Sequence, residues 1–254
     1  MAEDRTDDAV ADTVAMAHRL YKEGRDHTSA WRQEAQEAYD MVAGKQWSET
    51  DLATLKDQQR PAVTFNRILR TVNAIVGTQL NNRQETRFSA RETGDVQVNE
   101  ILTAAAEWVR DACDAEDEES DAFRDTVIAG MGWTETRMDV ETDPEGKIAV
   151  ERIDPMDMVW DCAATKRNLD DARRQGRVRK DIAIEDARQM FPGVDDTDLH
   201  AGWALEGQDD GDSIDHDREK ARQYGNQGTK EKPRARVTLV IMEWHETKTE
   251  YQVF

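Results

Sequence analysis

Apolar residues recur at helical spacing through most of the first half of the chain. This spacing predicts a first helix over Asp8–Tyr21, with Gly24 ending it, and a second helix over Thr28–Ala43. Gly44 then suits the left-handed cap of the second helix, since a residue without a Cβ adopts that conformation at least cost. Lys45 follows as a cation near the negative end of the helix.

The next stretch is predicted to be a joint between helices. Trp47 is expected to anchor a loop, and Asp51–Asp57 to form one or two helical turns. Arg60-Pro61 breaks the pattern, because the residue before proline is pushed to extended geometry. Thr64 is the expected N-cap of a third long helix. The expected apolar positions of that helix are Phe65, Ile68, Leu69, Val72, Ile75, Val76 and Leu80.

Two more helices complete the helical half. The first is predicted over Val96–Cys113, and the second over Glu118–Ala129. In the helix over Val96–Cys113, we expect the following apolar positions to be buried: Val98, Ile101, Leu102, Ala105, Trp108 or Val109, and Ala112. Gly130 and Gly132 lie where the chain must then turn from helix to strand.

After the glycines the apolar period changes from 3.6 to 2. Two alternating segments flank Asp143–Gly146, whose sequence DPEG is typical of a β-turn, so they predict an antiparallel hairpin. The segment ARRQGRVRKDI is a candidate strand, AIEDARQMFPG a short helix closed at Pro192, and RARVTLVIMEWHET a buried strand. His200–Lys232 is expected to be a long loop, and TEYQVF to begin the partner of the last strand.

These elements predict an α+β fold that is mainly α, with a helical N-terminal half followed by antiparallel β-hairpins and a short helix. The expected division is a helical region over residues 1–130 and a mixed region over residues 131–254. Because the sequence stops within a predicted strand, whose edge would lack cover, we expect it to be part of a longer protein or a truncated relative.

The net charge of the chain says more about its function than its length does. The 254 residues include 54 acidic and 34 basic side chains, a formal net charge of −20. A chain this acidic is a poor candidate for wrapping DNA, because affinity for nucleic acid depends on neutralising phosphates. The seven tryptophans, however, argue against general disorder. Two distant cysteines favour neither a disulfide framework nor a zinc site, and no stretch is apolar enough to predict a membrane helix or signal peptide.

No motif for catalysis or cofactor binding stands above background. Gly44-Lys45 lacks the upstream glycine of a phosphate loop, and AGMGW follows a helix rather than the strand that a dinucleotide loop needs. The five histidines lack metal-ligand spacing, DDGDSIDHD fits a calcium loop poorly, and no GxSxG elbow is present. We therefore predict no enzyme activity, no cofactor and no metal site.

Two charged segments remain candidates for contacts. The run Asp111–Asp125 holds eight acids; it is interpreted first as a solvated helix junction, and alternatively as a lining that repels DNA. A basic segment lies further along. Its candidate members for contact with an acidic neighbouring subunit are Arg173, Arg174, Arg177 and Arg179.

The order of several short motifs resembles the N-terminal part of portal proteins of tailed bacteriophages, of the short-tailed type. The motifs are AYDMVAGKQW, RPAVTFNRILRTVNAIVGTQLNNR, ESDAFRDTVIAGMGWTETRMD, GKIAVERIDPMDMVWDCAATKRNLDDAR and RKDIAIEDARQMFPG. The structural landmarks that carry it are Gly44, Gln46, Trp47, Arg60, Pro61, Thr64, Asn66, Gly130, Gly132, Pro155, Asp161 and Pro192. The likeness is colinear over residues 38–193, but relatives are more than twice as long.

The resemblance implies a ring of usually twelve copies at one capsid vertex, assembled in the host bacterial cytoplasm and retained in the virion. Double-stranded DNA would enter and leave through this ring. The implied partners are a terminase motor, scaffold and major capsid proteins, and head–tail adaptors, with no membrane. The matched residues would belong to the wing of the portal.

Two alternatives stay open from the residues alone. One is an acidic interaction protein, such as a scaffold or a DNA mimic, which would be monomeric or dimeric and bind a basic partner. The other is a metal-dependent nuclease that uses scattered carboxylates, which would lose activity on chelation.

Overall fold

The architecture of the chain is seen in a computed structural model that describes residues 3–83, 85–90, 96–140, 144–166, 168–192 and 236–246. The helices are α1 (Glu3–Val42), α2 (Glu49–Asp57), α3 (Ile68–Asn81), α4 (Val96–Ala112), α5 (Ala115–Ala129) and α6 (Ile184–Met190). The strands are β1 (Trp133–Asp139), β2 (Lys147–Ile153), β3 (Met158–Trp160), β4 (Arg174–Ala183) and β5 (Arg236–Trp244). The predicted α+β, mainly α class is confirmed.

By internal packing the chain divides into two compact units. Unit 1 comprises residues 1–32 and 156–254, and unit 2 comprises residues 33–155. The division expected at residue 130 follows the change of hydrophobic period rather than packing, and it stays a prediction.

In unit 1, a three-stranded antiparallel sheet in the order β3-β4-β5 carries the core. Its buried centre is formed by Tyr21 from α1, Val159 from β3 and Val178 from β4, with residues of β5 packed against them. The strands predicted in ARRQGRVRKDI and RARVTLVIMEWHET are confirmed, and the structure pairs them as β4 and β5. The predicted loop His200–Lys232 and the predicted strand TEYQVF lie outside the described residues.

The first predicted helix boundary is wrong, because α1 continues through Gly24 without interruption. A Cβ built on Gly24 would lie 2.2 Å from Cγ1 of Val159 and 3.2 Å from the carbonyl oxygen of Trp160. The glycine is thus required by close approach of the helix to β3, and not by a turn. Two turns further along, Trp31 contacts Trp160 edge to face, with ring centroids 5.2 Å apart.

Arg32 fixes the bend that leads into the sheet of unit 1. Its guanidinium donates to the carbonyl oxygens of Met156 and Met158, and its Nε donates to the Thr28 hydroxyl at 3.0 Å. Arg32 and Thr28 are both buried. These bonds satisfy one carbonyl of the short 3₁₀ turn Pro155–Asp157 and one at the start of β3.

In unit 2, α5 is the central element, since it contacts α3, α4 and both strands of the β1–β2 hairpin. The hairpin is antiparallel, with Trp133 opposite Ile153 and Asp139 opposite Lys147. Its predicted position is confirmed, and Gly146 takes the expected positive φ of +85°. The helix-to-strand turn is also as predicted, with Gly130 ending α5 at φ +81°.

Candidate assembly surfaces

The joint after α1 is built as the sequence indicates. Gly44 has φ +91°, and its amide donates to Met41 while that of Lys45 donates to Asp40, at 3.2 and 2.8 Å. These two hydrogen bonds form a Schellman motif, which satisfies the last carbonyls of α1. Lys45 also forms an exposed ion pair with Asp40 at 3.1 Å.

The loop that follows is closed by side chains from its two ends. Trp47 Nε1 donates to the Thr64 hydroxyl at 3.0 Å, so Trp47 does anchor the loop. The predicted N-cap role of Thr64 is wrong, because α3 begins only at Ile68. Asn66 provides the bonds instead: its amide nitrogen donates to the Val42 carbonyl at 2.6 Å, and its Oδ1 accepts from the Leu69 amide at 3.1 Å.

The other landmarks lie at joints too, with different degrees of burial. Gly132 has no room for a Cβ, which would lie 1.9 Å from the carbonyl oxygen of Ala122. Pro155 is fully buried. Arg60, Pro61 and Pro192 are exposed, and Gln46 makes one long bond, 3.3 Å, to the Met41 carbonyl. These landmarks therefore shape the backbone, and the structure does not gather them into one site.

Asp161 organises the loop that leads into β4. Its carboxylate accepts from the amides of Ala163 and Arg173 and from Nε of Arg174, at 3.0–3.1 Å. Burial alone would raise the pKa of Asp161, but the amide bonds and Arg174 outweigh it and hold the pKa below its ordinary value. Arg174 also reaches Glu23 at 2.8 Å.

The predicted inter-subunit basic patch is therefore partly committed within unit 1. Arg174 is held by two carboxylates, and Arg177 and Arg179 are half-buried and make contacts of their own. Arg173 is the exposed member. A role of these four arginines against a neighbouring copy stays a prediction.

The acidic run Asp111–Asp125 has internal partners for five of its eight acids. The pairs are Arg83 with Glu116 and Asp117, Arg110 with Glu119, the Arg152 guanidinium with Asp125, and the Arg152 amide with Glu118. Three of these acids also lie in the first turn of α5, where the helix dipole favours negative charge. The run thus holds α5 in place, and its role as a lining that repels DNA stays a prediction.

The orientation of α4 differs from what its sequence predicts. All of its residues are described, and none is buried. Its half-buried side is mixed, with the polar Asn99, Thr103 and Arg110 beside Ala106 and Val109. Thr103 accepts a hydrogen bond from the Phe88 amide at 3.1 Å. Its outward residues are Val98, Ile101, Ala105 and Trp108, which we call the α4 stripe. The expectation that these residues are buried in the chain's own core is wrong.

The side chains of the stripe are exposed to solvent to an unusual degree for large hydrophobic residues. Ile101 is 69% exposed and Trp108 is 70% exposed. Beside it, Glu100, Glu107 and Asp111 follow each other at helical spacing as an acid row. The acid row also lines a cleft of about 620 Å³ between α4 and residues 85–90. An amphipathic helix with its apolar side outward indicates a surface that is covered in an assembly.

A second exposed apolar surface lies on the segment before and within α3. Its most exposed member, Phe65, is 82% exposed, although its spacing predicts an apolar core position. Of the predicted apolar positions on α3, Val72 is buried and Leu69 and Val76 are half-buried, whereas Ile68 and Ile75 are 40% and 43% exposed. This segment, too, directs hydrophobic side chains away from the core of unit 2.

Among the described residues, no three His, Cys, Asp or Glu side chains converge as ligands for a metal ion. The calcium-like segment DDGDSIDHD lies outside the described ranges. In the same ranges, none of the helices combines the length and hydrophobicity needed to cross a bilayer.

Comparison with known proteins relates the chain to one described family. No curated protein matches the chain significantly. A family described as Phage P22-like portal protein matches residues 18–253. That range includes every landmark on which the resemblance depends, together with the α4 stripe and the sheet of unit 1, and the chain therefore belongs to the P22-like phage portal protein family.

Proposed function

We propose that the chain is a structural subunit of a portal ring at one vertex of the phage capsid. In this role the ring surrounds the path of double-stranded DNA during packaging and ejection, and the chain itself carries out no chemistry. Membership of the portal family supports the proposal. Retention in the virion, and assembly in the bacterial cytoplasm, are parts of the same proposal.

The observation that carries the proposal is the outward α4 stripe. The chain is hydrophilic, with a mean hydropathy of −0.87, yet it directs an isoleucine and a tryptophan into solvent from one helix side. Covering each such side chain fully would contribute roughly 1.5–3 kcal/mol, so the isolated subunit forgoes a substantial stabilisation. A ring offers this cover, because each copy presents one patch to a different patch on the next.

The proposal extends to partners and copy number. A ring of twelve is expected, together with a terminase motor, scaffold and major capsid proteins, and head–tail adaptors. The formal charge of −20 makes tight binding to DNA unfavourable, which suits a channel through which the duplex must slide. At physiological salt this repulsion acts only over about 8 Å, so it concerns DNA that passes close to the protein.

Negative-stain microscopy and native mass spectrometry of the full-length gene product test the proposal. The expected result is a closed ring with a central hole and a mass of twelve subunits. A monodisperse monomer or dimer that binds a basic partner would favour an acidic interaction module and overturn the ring. Cleavage of DNA that stops on chelation would favour a nuclease and equally overturn a purely structural role.

A further inference from the structure

The segment 60–83 differs from the rest of the chain in its charge. It contains four arginines and no acidic residue, in a protein whose net charge is −20. Arg83 is bound to Glu116 and Asp117 within unit 2. Arg60, Arg67 and Arg70 are exposed, and their guanidinium groups form no ion pair with a described residue.

These three arginines lie among the outward apolar residues of the same segment. We call this set the arginine surface. Its members are Arg60, Val63, Phe65, Arg67, Ile68, Arg70 and Ile75. On α3, Ile68 and Ile75 lie one turn to either side of the buried Val72, at the edge of the face that packs within unit 2. Arg67 and Arg70 lie on the side of the helix away from Val72, so the arginines are not needed for the fold of the subunit.

The α4 stripe with its acid row complements this surface in both respects. The stripe offers an apolar strip headed by Ile101 and Trp108, and the acid row supplies three carboxylates along one side of it. None of the carboxylates of Glu100, Glu107 and Asp111 is paired with a described residue. Each surface therefore combines exposed apolar side chains with charged ones, and the charges of the two surfaces are opposite. The charged side chains of each surface lack a partner within the described part of unit 2.

We propose that the α4 stripe and acid row of one copy are covered by the arginine surface of the next copy. This inference rests on the proposed function, since it assigns the contact through which the ring closes. Two different patches on one chain give a heterologous contact, which generates a ring when the rotation between copies closes. Opposite charge beside an apolar strip sets the register of such a contact and disfavours like surfaces meeting.

The test uses two charge-reversed forms of the full-length protein. One carries Glu100→Arg with Glu107→Arg, and the other carries Arg67→Glu with Arg70→Glu. Because like charges across a contact cost several kcal/mol, each form alone should show an about tenfold lower fraction of rings, most clearly at low ionic strength. All four positions are exposed, so unchanged circular dichroism and melting would show that each subunit folds.

Mixing the two forms gives the decisive measurement. In an alternating ring, every contact again pairs acid with arginine, so the mixture should recover rings that neither form makes alone. A matched control, Glu34→Arg with Glu37→Arg on an exposed part of α1, makes the same change of charge elsewhere in unit 2 and should leave rings intact. Recovery by mixing would support a contact between copies, whereas loss of rings without recovery would overturn it.

The apolar part of the contact is tested separately. Ile101→Ser with Trp108→Ser should also lower the fraction of rings, while Leu52→Ser, at an exposed apolar position on α2, should not. If both the charge-reversed and the serine forms assemble as the wild type does, this inference is wrong and the portal function stands. If the wild-type protein itself forms no ring, it is the proposed function that fails.

Discussion

Arg152 on β2 binds the carboxylate of Asp125 on α5 with two guanidinium nitrogens, and the two side chains are only 10% and 3% exposed. The Tyr39 hydroxyl donates to the same carboxylate at 2.6 Å. Burial raises the pKa of Tyr39, and the neighbouring Asp125 raises it further, so the phenol stays protonated as a donor. Three elements of unit 2 thus meet at one buried charge pair.

Removing one member of this pair should be costly. Asp125→Ala would leave Arg152 buried without its counter-charge, and we expect the free energy of unfolding to fall by about 3–5 kcal/mol. Urea unfolding followed by circular dichroism measures the change. Asp121→Ala, at an exposed position on the same helix, is the control and should change stability by no more than about 0.5 kcal/mol.

The double substitution Asp125→Leu with Arg152→Met separates charge from packing. Apolar side chains of similar volume need no counter-charge, so the double variant should be more stable than Asp125→Ala alone. If Asp125→Ala unfolds at the same urea concentration as the wild type, the buried pair does not hold unit 2 together.

Much of the fold follows from local pattern, because helices, caps and turns are decided by neighbouring residues. The hairpin around DPEG, the cap at Gly44 and the turn at Gly130 are all found where the sequence predicts them. The spacing of apolar residues shows which side of a helix is buried, but not whether that side is buried by the chain's own core or by another molecule. For this reason α3 and α4 are helices as predicted, whereas the expected burial of Phe65 and of the α4 stripe is wrong.

The buried charge pair illustrates a second limit of the sequence. In the sequence Asp125 is one member of an acidic run, yet it lies on the same side of α5 as the buried Ala115 and Ala122. A charge in register with buried apolar positions is a signal that a partner must exist, since an unpaired charge is not tolerated in the interior. The identity of that partner depends on β2 folding back onto α5, which no local pattern gives.

Alanine substitutions at two helical glycines separate the effect of packing from that of helix propensity. Replacing glycine with alanine inside a helix ordinarily stabilises it by about 1 kcal/mol. Gly77 in α3 has open space around it, so Gly77→Ala should raise the melting temperature. Gly24→Ala should lower it, because the new methyl group would overlap the stiff, buried side chain of Val159. Differential scanning fluorimetry of both variants gives the comparison, and equal shifts would show that α1 does not approach β3 this closely.

The two bonds of Asn66 can be separated by one substitution. Asn66→Asp keeps an acceptor for the Leu69 amide but loses the donor to the Val42 carbonyl, so we expect a loss of about 1 kcal/mol in unfolding free energy. Gln46→Ala removes a single long, exposed bond in the same joint and should have little effect. A stability for Asn66→Asp equal to that of Gln46→Ala would mean that the bond to Val42 does not close the joint.

The loop before β4 should respond to acid through Asp171. The Thr165 amide and hydroxyl, with the Lys166 amide, donate to its carboxylate and lower the pKa of Asp171 to about 2. A folded-state pKa below the unfolded value of 3.8 means that the ionised carboxylate stabilises the fold. That stabilisation is complete above the unfolded pKa and disappears as the pH falls through the folded value.

Asp171→Asn should therefore unfold at a lower urea concentration than the wild type at pH 7 and at pH 5. The difference between the two urea midpoints should narrow between pH 4 and pH 2. Asp170→Asn, an exposed neighbour, is the control, and a gap that stays constant down to pH 2 would show that the Asp171 carboxylate does not hold this loop in its ionised form.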